Sequence, residues 1–253
     1  MHKSRKMGLL FLIPAMLAPL TVTAVPEDEL GDILEQGLDV LSGYSNIIPT
    51  VVILLLLTVL PTILLLMTSY TRILVVLSFT RNALGTQQMP PNQVLIGISL
   101  ILTLFIMSPT IGQIKQDAYD PYMMQEITIV QALEAAERPM KEFMFKEAQT
   151  ETESINMFLS LSGMESTPET LDDMPLSVLV PAFITGEITK AFKIGFLIYL
   201  PFIMIDMIVS SILMSMGMMM LPPSMISLPF KILLFVLIDG WELIMKTLIM
   251  SFG

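Results

Sequence analysis

Two long stretches of this chain, Val40 to Thr71 and Asn82 to Ile114, contain no charged side chain. Each exceeds the roughly 20 apolar residues that carry a helix across about 30 Å of hydrocarbon. Composition points the same way. Of 253 residues, 54% are apolar and 14% charged, and the mean hydropathy is +0.76; an ordinary globular domain carries about 25% charged residues. A soluble enzyme and a disordered chain are excluded on these grounds. The net charge of −10 disfavours nucleic acid as a partner. There is no cysteine and only one histidine, His2. No metal site, Cys–His nucleophile or Ser–His triad is expected, and no cofactor.

The N-terminus reads as an address. His2, Lys3, Arg5 and Lys6 precede an apolar run from Met7 through Ala18, and small residues close it at Val22-Thr23-Ala24. This is the three-part pattern of a secretory signal peptide, residues 1–24, with cleavage after Ala24. Pro14 and Pro19 interrupt the run and argue against an uncleaved anchor. Residues 25–46 form an acidic lead-in, with Glu27, Asp28, Glu29, Asp32, Glu35 and Asp39 and no base, expected on the outer side.

The remainder reads as an all-α membrane protein built from two helical hairpins, about four hydrophobic helices, around an acidic helical insert. The first hairpin, residues 47–112, has spans near 47–67, with Pro61 inside, and near 93–111. Arg72 and Arg81 are the only charges between them, and the positive-inside rule assigns that connection to the cytoplasm. Its turn, residues 85–92, holds Met89-Pro90-Pro91-Asn92. Residues 113–190 are the insert, expected on the periplasmic side: from Lys115 to Lys190 there are 14 acidic residues against five basic ones. Helical spacing of Ile127, Val130, Leu133 and Ala136 predicts one helix there, and Pro139 is expected to open a second, ending near Gln149. Residues 162–175 read as a loop. The second hairpin, residues 191–253, has spans near 191–216 and 227–250, joined by a turn that again contains Pro-Pro, at Pro222 and Pro223.

Asp206 stands deep in an apolar helix, where an unpaired carboxylate costs several kcal/mol. Folding the hairpin about Met218 or Met219 sets position 206 level with Lys231. The same register brings Lys193 near Glu242 and Lys246. An Asp206–Lys231 pair bracing the hairpin is therefore expected, with Lys193, Asp239 and Glu242 as secondary charges. The bland reading leaves each charge facing water or a lipid headgroup alone. Between these helices, six methionines crowd the tip: Met214, Met216, Met218, Met219, Met220 and Met225. Methionine is apolar, flexible and polarizable, so a loop of it can close an opening and still repack around varied surfaces; the bland reading, that it merely fills a membrane core, suits methionine elsewhere in the chain better than at a tip bounded by Gly and Pro.

Four stretches carry a resemblance: Pro61-Thr62-Ile63-Leu64-Leu65-Leu66-Met67-Thr68-Ser69-Tyr70-Thr71-Arg72; Leu77-Ser78-Phe79-Thr80-Arg81-Asn82-Ala83-Leu84-Gly85-Thr86-Gln87; Pro181-Ala182-Phe183-Ile184-Thr185-Gly186-Glu187-Ile188 running into Ala191 to Phe196; and Ile205-Asp206-Met207 through Met218-Met219-Met220-Leu221-Pro222-Pro223 to Lys231 and Asp239-Gly240-Trp241. In this order they resemble the FliP family of flagellar biosynthetic proteins. The resemblance implies a non-enzymatic export-gate subunit of a flagellar type III secretion apparatus in the bacterial inner membrane and basal body. It implies several copies assembled with FliQ and FliR into a helical cone, in contact with FlhB and FlhA, through which unfolded flagellar subunits pass. It further implies that Met218, Met219 and Met220, with Met216 beside them, form the channel seal, and that Asp206 and Lys231 are the family's intramembrane charge pair. Because such cones are raised toward the periplasm, the four expected spans need not all face lipid.

Two rivals have chemical content. An ion-coupled secondary transporter would use Asp206 as its proton carrier. An intramembrane aspartyl protease would need Asp206 and Asp239 to share a proton, but the Gly-x-Gly-Asp context is absent from Leu237-Ile238-Asp239-Gly240, and a lysine beside Asp206 would hold it ionised. No GxxxxGK[ST] phosphate loop occurs, so the energy source lies outside this chain.

Overall fold

The computed structural model describes residues 47–86, 88–148, 152–163, 174–218 and 220–252. The signal segment with its Ala24 cleavage point, the acidic lead-in, most of the loop before Pro175, and Met219 lie outside these residues. Among the described residues every regular element is helical and there is no strand.

Helix α1 (Ile47–Met67) is apolar throughout, with Pro61 inside it. A helix without a polar face suits lipid or a protein interior rather than water. Its described side chains are mostly exposed, among them Leu54, Leu57 and Leu60. At Thr68-Ser69 the chain turns by 63° into α2 (Tyr70–Leu84). The Thr68 and Thr71 hydroxyls donate to the Leu64 and Leu65 carbonyls, taking up acceptors that the break frees.

Helix α3 (Asn92–Ile106) ends at Met107, and the chain bends by 60° into α4 (Ser108–Ile114). A π-helical turn at Lys115–Tyr119 and the short α5 (Asp120–Met123) continue that direction. Pro109 in the first turn of α4 accounts for the break, since it lacks the N–H that would continue the preceding helix. Helix α6 (Ile129–Ala148) runs unbroken through Pro139, which corrects the expected two-helix reading. The Pro139 ring is buried, and that packing offsets the missing hydrogen bond. Helix α7 (Thr152–Leu161) follows.

The organising element is α8 (Leu176–Ser215), 40 residues long with Pro181 and Pro201 inside, about 60 Å at 1.5 Å per residue. It crosses position 190/191 without interruption, and α2, α6, α7 and α9 (Pro223–Leu237) all pack on it. One core joins α2, α3, α8, α9 and α10 (Gly240–Met250) through Ile73, Leu77, Leu95, Phe202, Phe235 and Leu248; a second joins α6, α7 and α8 through Met144, Leu159, Leu179 and Phe183.

Close approach of α2 to α8 depends on Gly195. A Cβ there would lie 2.6 Å from Phe79 Cγ and 3.0 Å from Phe79 Cβ, and Phe192 already fixes that ring edge-on at 5.0 Å. Because the Phe79 Cβ is part of the clash, ring rotation cannot relieve it. Gly195→Ala is expected to cost about 1–3 kcal/mol through overpacking, read as a lowered thermal midpoint of the detergent-extracted protein; an unchanged midpoint would show that the two helices can part without loss.

The expected four spans are redrawn. Among the described residues α8 alone is long and apolar enough to cross a membrane, or up to three spans exist if each bent pair counts as one. The fourth expected span is broken at Ile238-Asp239, where Asp239 adopts a left-handed φ of 49°, and α9 has only 15 residues.

Candidate functional site

The α8–α9 hairpin carries the first constellation. Lys231 Nζ lies 2.6 Å from Asp206 Oδ2, and Ser227 Oγ donates to Asp206 Oδ1 at 2.6 Å. Ser227 and Lys231 are one helical turn apart on α9, so both side chains face one carboxylate on α8. Lys231 and Ser227 are buried, while a third of the Asp206 side chain is exposed. Lys231 Nζ also donates to the Ala83 carbonyl at 3.2 Å.

Beyond this pair α8 ends in a Schellman motif: the Met218 N–H bonds to the Leu213 carbonyl and the Gly217 N–H to that of Met214, with Gly217 at φ 74°. Only glycine adopts this conformation without strain. The tip side chains are left outward, Met216 67%, Met218 42% and Met220 97% exposed. The secondary charges are dispersed. Lys193 is exposed on α8, Asp239 sits in the break before α10, and Glu242 occupies the first turn of α10. Among the described residues no ion pair reaches Asp239 or Glu242.

The second constellation was hidden from sequence reasoning. Arg72, expected in a cytoplasmic connection, is fully buried. Its Nε donates to Glu187 Oε2 at 2.8 Å and Nη2 to the other oxygen of Glu187; Nη2 also reaches Glu147 Oε2 at 2.7 Å. Nη1 donates to the Ser251 carbonyl at 2.7 Å and hydroxyl at 3.0 Å. All five guanidinium N–H groups are thereby engaged, and Cζ lies over the Phe252 ring, 3.6 Å from its centre. Lys190 completes the group, 3.2 Å from Glu147 and 3.7 Å from Glu187. Among the described residues the cluster sets two cations against two anions, as burial of charge requires.

This cluster rules out one part of the expected topology, the placing of Arg72 and Glu147 on opposite sides of the membrane. Arg72 was assigned to the cytoplasm and Glu147 to a periplasmic insert, yet an ion pair of 2.7 Å cannot straddle a bilayer. Positive-inside reasoning holds for loop charges facing lipid headgroups, and Arg72 faces carboxylates instead. Arg81, by contrast, reaches out to the Asn92 side chain across the α2–α3 turn.

Known proteins share this arrangement of sequence. The profile of the FliP family matches residues 53–248. The flagellar biosynthetic protein FliP of Bacillus subtilis (strain 168) is 56% identical over 214 residues, covering 83% of this chain and 96% of that protein. Its counterpart in Pectobacterium carotovorum subsp. carotovorum is 43% identical over 248 residues, 97% of this chain and 90% of that protein. That of Aquifex aeolicus (strain VF5) is 45% identical over 214 residues, 83% and 89% of the two chains. The chain therefore belongs to the FliP family.

Proposed function

We propose that this chain is a channel-forming, non-enzymatic subunit of the flagellar type III export gate, passing unfolded flagellar proteins across the bacterial inner membrane. The observation that carries the reading is the α8–α9 hairpin itself, braced internally by Asp206 and Lys231 at 2.6 Å and outwardly apolar at a tip of exposed methionines. Such a hairpin is stiff where it must hold position and soft where it must seal. Met216, Met218, Met219 and Met220 are assigned the seal.

Large apolar surfaces stay uncovered on the single chain, including Ile101, Leu104 and Phe105 on α3 and Leu197, Met204 and Met207 on α8. Surfaces of this kind mark sites for protein or lipid contact. Further copies of the chain, FliQ and FliR are assigned to them, together with lipid, and FlhB and FlhA to the assembled gate in the basal body. A proton-carrying Asp206 gains no support, because both carboxylate oxygens already accept short hydrogen bonds.

Native mass spectrometry of the complex extracted from its own membrane tests this reading. The expected result is one defined particle holding several copies of the chain and two small hydrophobic partners, with motility lost on deletion of the gene and regained on its return. A monomer or dimer active on a small solute would overturn it.

A further inference from the structure

We infer that Lys231 clamps three helices rather than two, its second acceptor being the C-terminal end of α2, so that the charge pair also registers the α2–α3 turn against the methionine tip. The inference rests on the export-gate reading for its functional consequence only.

Helix α2 ends at Gly85, whose φ of 74° turns the chain out of the helix. The last carbonyls of a helix lose their intrahelical donors, and here the Gly85 N–H covers that of Asn82 while Lys231 Nζ covers that of Ala83 at 3.2 Å. A lysine suits this position twice over. The ammonium has three donors to distribute, and the C-terminal end of a helix carries partial negative charge that favours a cation. Lys231 and Leu228 pack up to this turn, since a Cβ at Gly85 would meet Lys231 Nζ at 3.8 Å and Leu228 Cδ1 at 3.9 Å, both ordinary contacts, and glycine is needed there for its φ. Lys231 thus sits between two acceptors from different helices, the Asp206 carboxylate on α8 and the Ala83 carbonyl on α2.

The contact itself is buried, and an opening lies beside it. Gly85, Thr86 and Met89 of the first Pro-Pro turn face Ser224, Met225 and Leu228 of the second across a cavity of about 360 Å³. Farther along α8 the same two helices are locked by side-chain packing at Phe79 and Gly195. At the tips, Lys231 supplies the directional contact where packing is incomplete.

The clamp is chemically asymmetric, which separates it from a two-body brace. In a simple brace the two charges can be exchanged. In the clamp, an exchange puts at position 231 a short, acceptor-only carboxylate, which brings no donor to the Ala83 carbonyl and sets a like charge toward the negative helix end. Asp206→Asn, in turn, retains an acceptor for Lys231 and leaves the Ala83 arm in place, whereas Lys231→Met removes both arms.

Because the chain lacks cysteine, Thr86→Cys with Ser224→Cys places two thiols on the cavity walls, and a short bis-maleimide reports their proximity in membranes without reference to export. Cross-linking is expected in the otherwise unchanged chain, in Lys231→Arg and in Asp206→Asn. It should fall about tenfold in Lys231→Met and in the Asp206→Lys, Lys231→Asp exchange, the ratio set by loss of the one charge-assisted hydrogen bond that joins α9 to α2. Export should fall in Lys231→Met and in the exchange. Equal yields in Asp206→Asn and Lys231→Met, or an exchange variant that recovers both cross-linking and export, would overturn the three-helix clamp. If the parent chain cross-links as expected yet supports no export, the export-gate reading fails and the clamp stands.

Discussion

Arg72→Ala is expected to remove about 3–5 kcal/mol of stability, the usual cost of stripping a buried ion cluster of one partner. The reasoning is a balance of charge. Arg72 and Lys190 face Glu147 and Glu187 in a site that admits almost no water. Without Arg72, Lys190 is the one cation of the cluster left to two buried carboxylates, and Glu187 loses the fork that held both its oxygens. The Ser251 carbonyl loses a donor at 2.7 Å, and the Phe252 ring loses the cation above it, so α10 is released from α2 as well. Folding margins of about 5–15 kcal/mol leave little after such a loss. The variant should fall well below the parent chain in membrane abundance and melt at a much lower temperature in detergent. Arg72→Lys should recover only part, because one ammonium cannot offer a fork to Glu187, a donor to Glu147 and another to Ser251 together. Parent-like abundance and melting of Arg72→Ala would show that the cluster carries no such load.

How far these features were legible in the sequence follows from the distances along the chain. Asp206 and Lys231 belong to one hairpin with a short turn, so a fold point near Met218 determines which residues lie level, and the cost of an isolated intramembrane carboxylate says that a partner must exist. Arg72 offers no comparable ruler. Its partners lie 75 and 115 positions away, on α6 and α8, and reaching them depends on how four helices pack. The net acidity of the insert concealed Glu147 and Glu187 among a dozen other acids, and the rule relating basic residues to the cytoplasm gave Arg72 an ordinary explanation. Proline misled at Pro139, which was expected to open a helix. Pro61, Pro139, Pro181, Pro201 and Pro229 all lie inside helices, while the bends occur at Thr68-Ser69, Met107 and Asp239-Gly240, where side-chain hydroxyls, a following Pro109 or a left-handed residue accommodate the change of direction. In a largely apolar chain neighbouring helices can supply what a proline removes, so proline alone does not mark where an element ends.

The methionine tip admits the cleanest separation of function from folding. Met216, Met218 and Met220 project outward and are 67%, 42% and 97% exposed, so their side chains contribute little to the packing of the single chain. Shortening all three to Ala removes the thioether arms and leaves the Gly217 cap and its backbone hydrogen bonds to Leu213 and Met214 intact. The variant is expected to accumulate and melt like the parent chain. Its effect falls on the assembled gate: a narrow apolar constriction excludes ions by staying dry, and replacing long, polarizable side chains with methyl groups widens it at each contributing copy. Passive entry of small ions into cells or vesicles containing the gate should rise many-fold, while Leu in place of each Met should keep the resting seal and slow export, since a branched side chain repacks less readily around a passing polypeptide. A resting leak indistinguishable from that of the parent gate would remove these residues from the seal and leave the tip as an assembly contact.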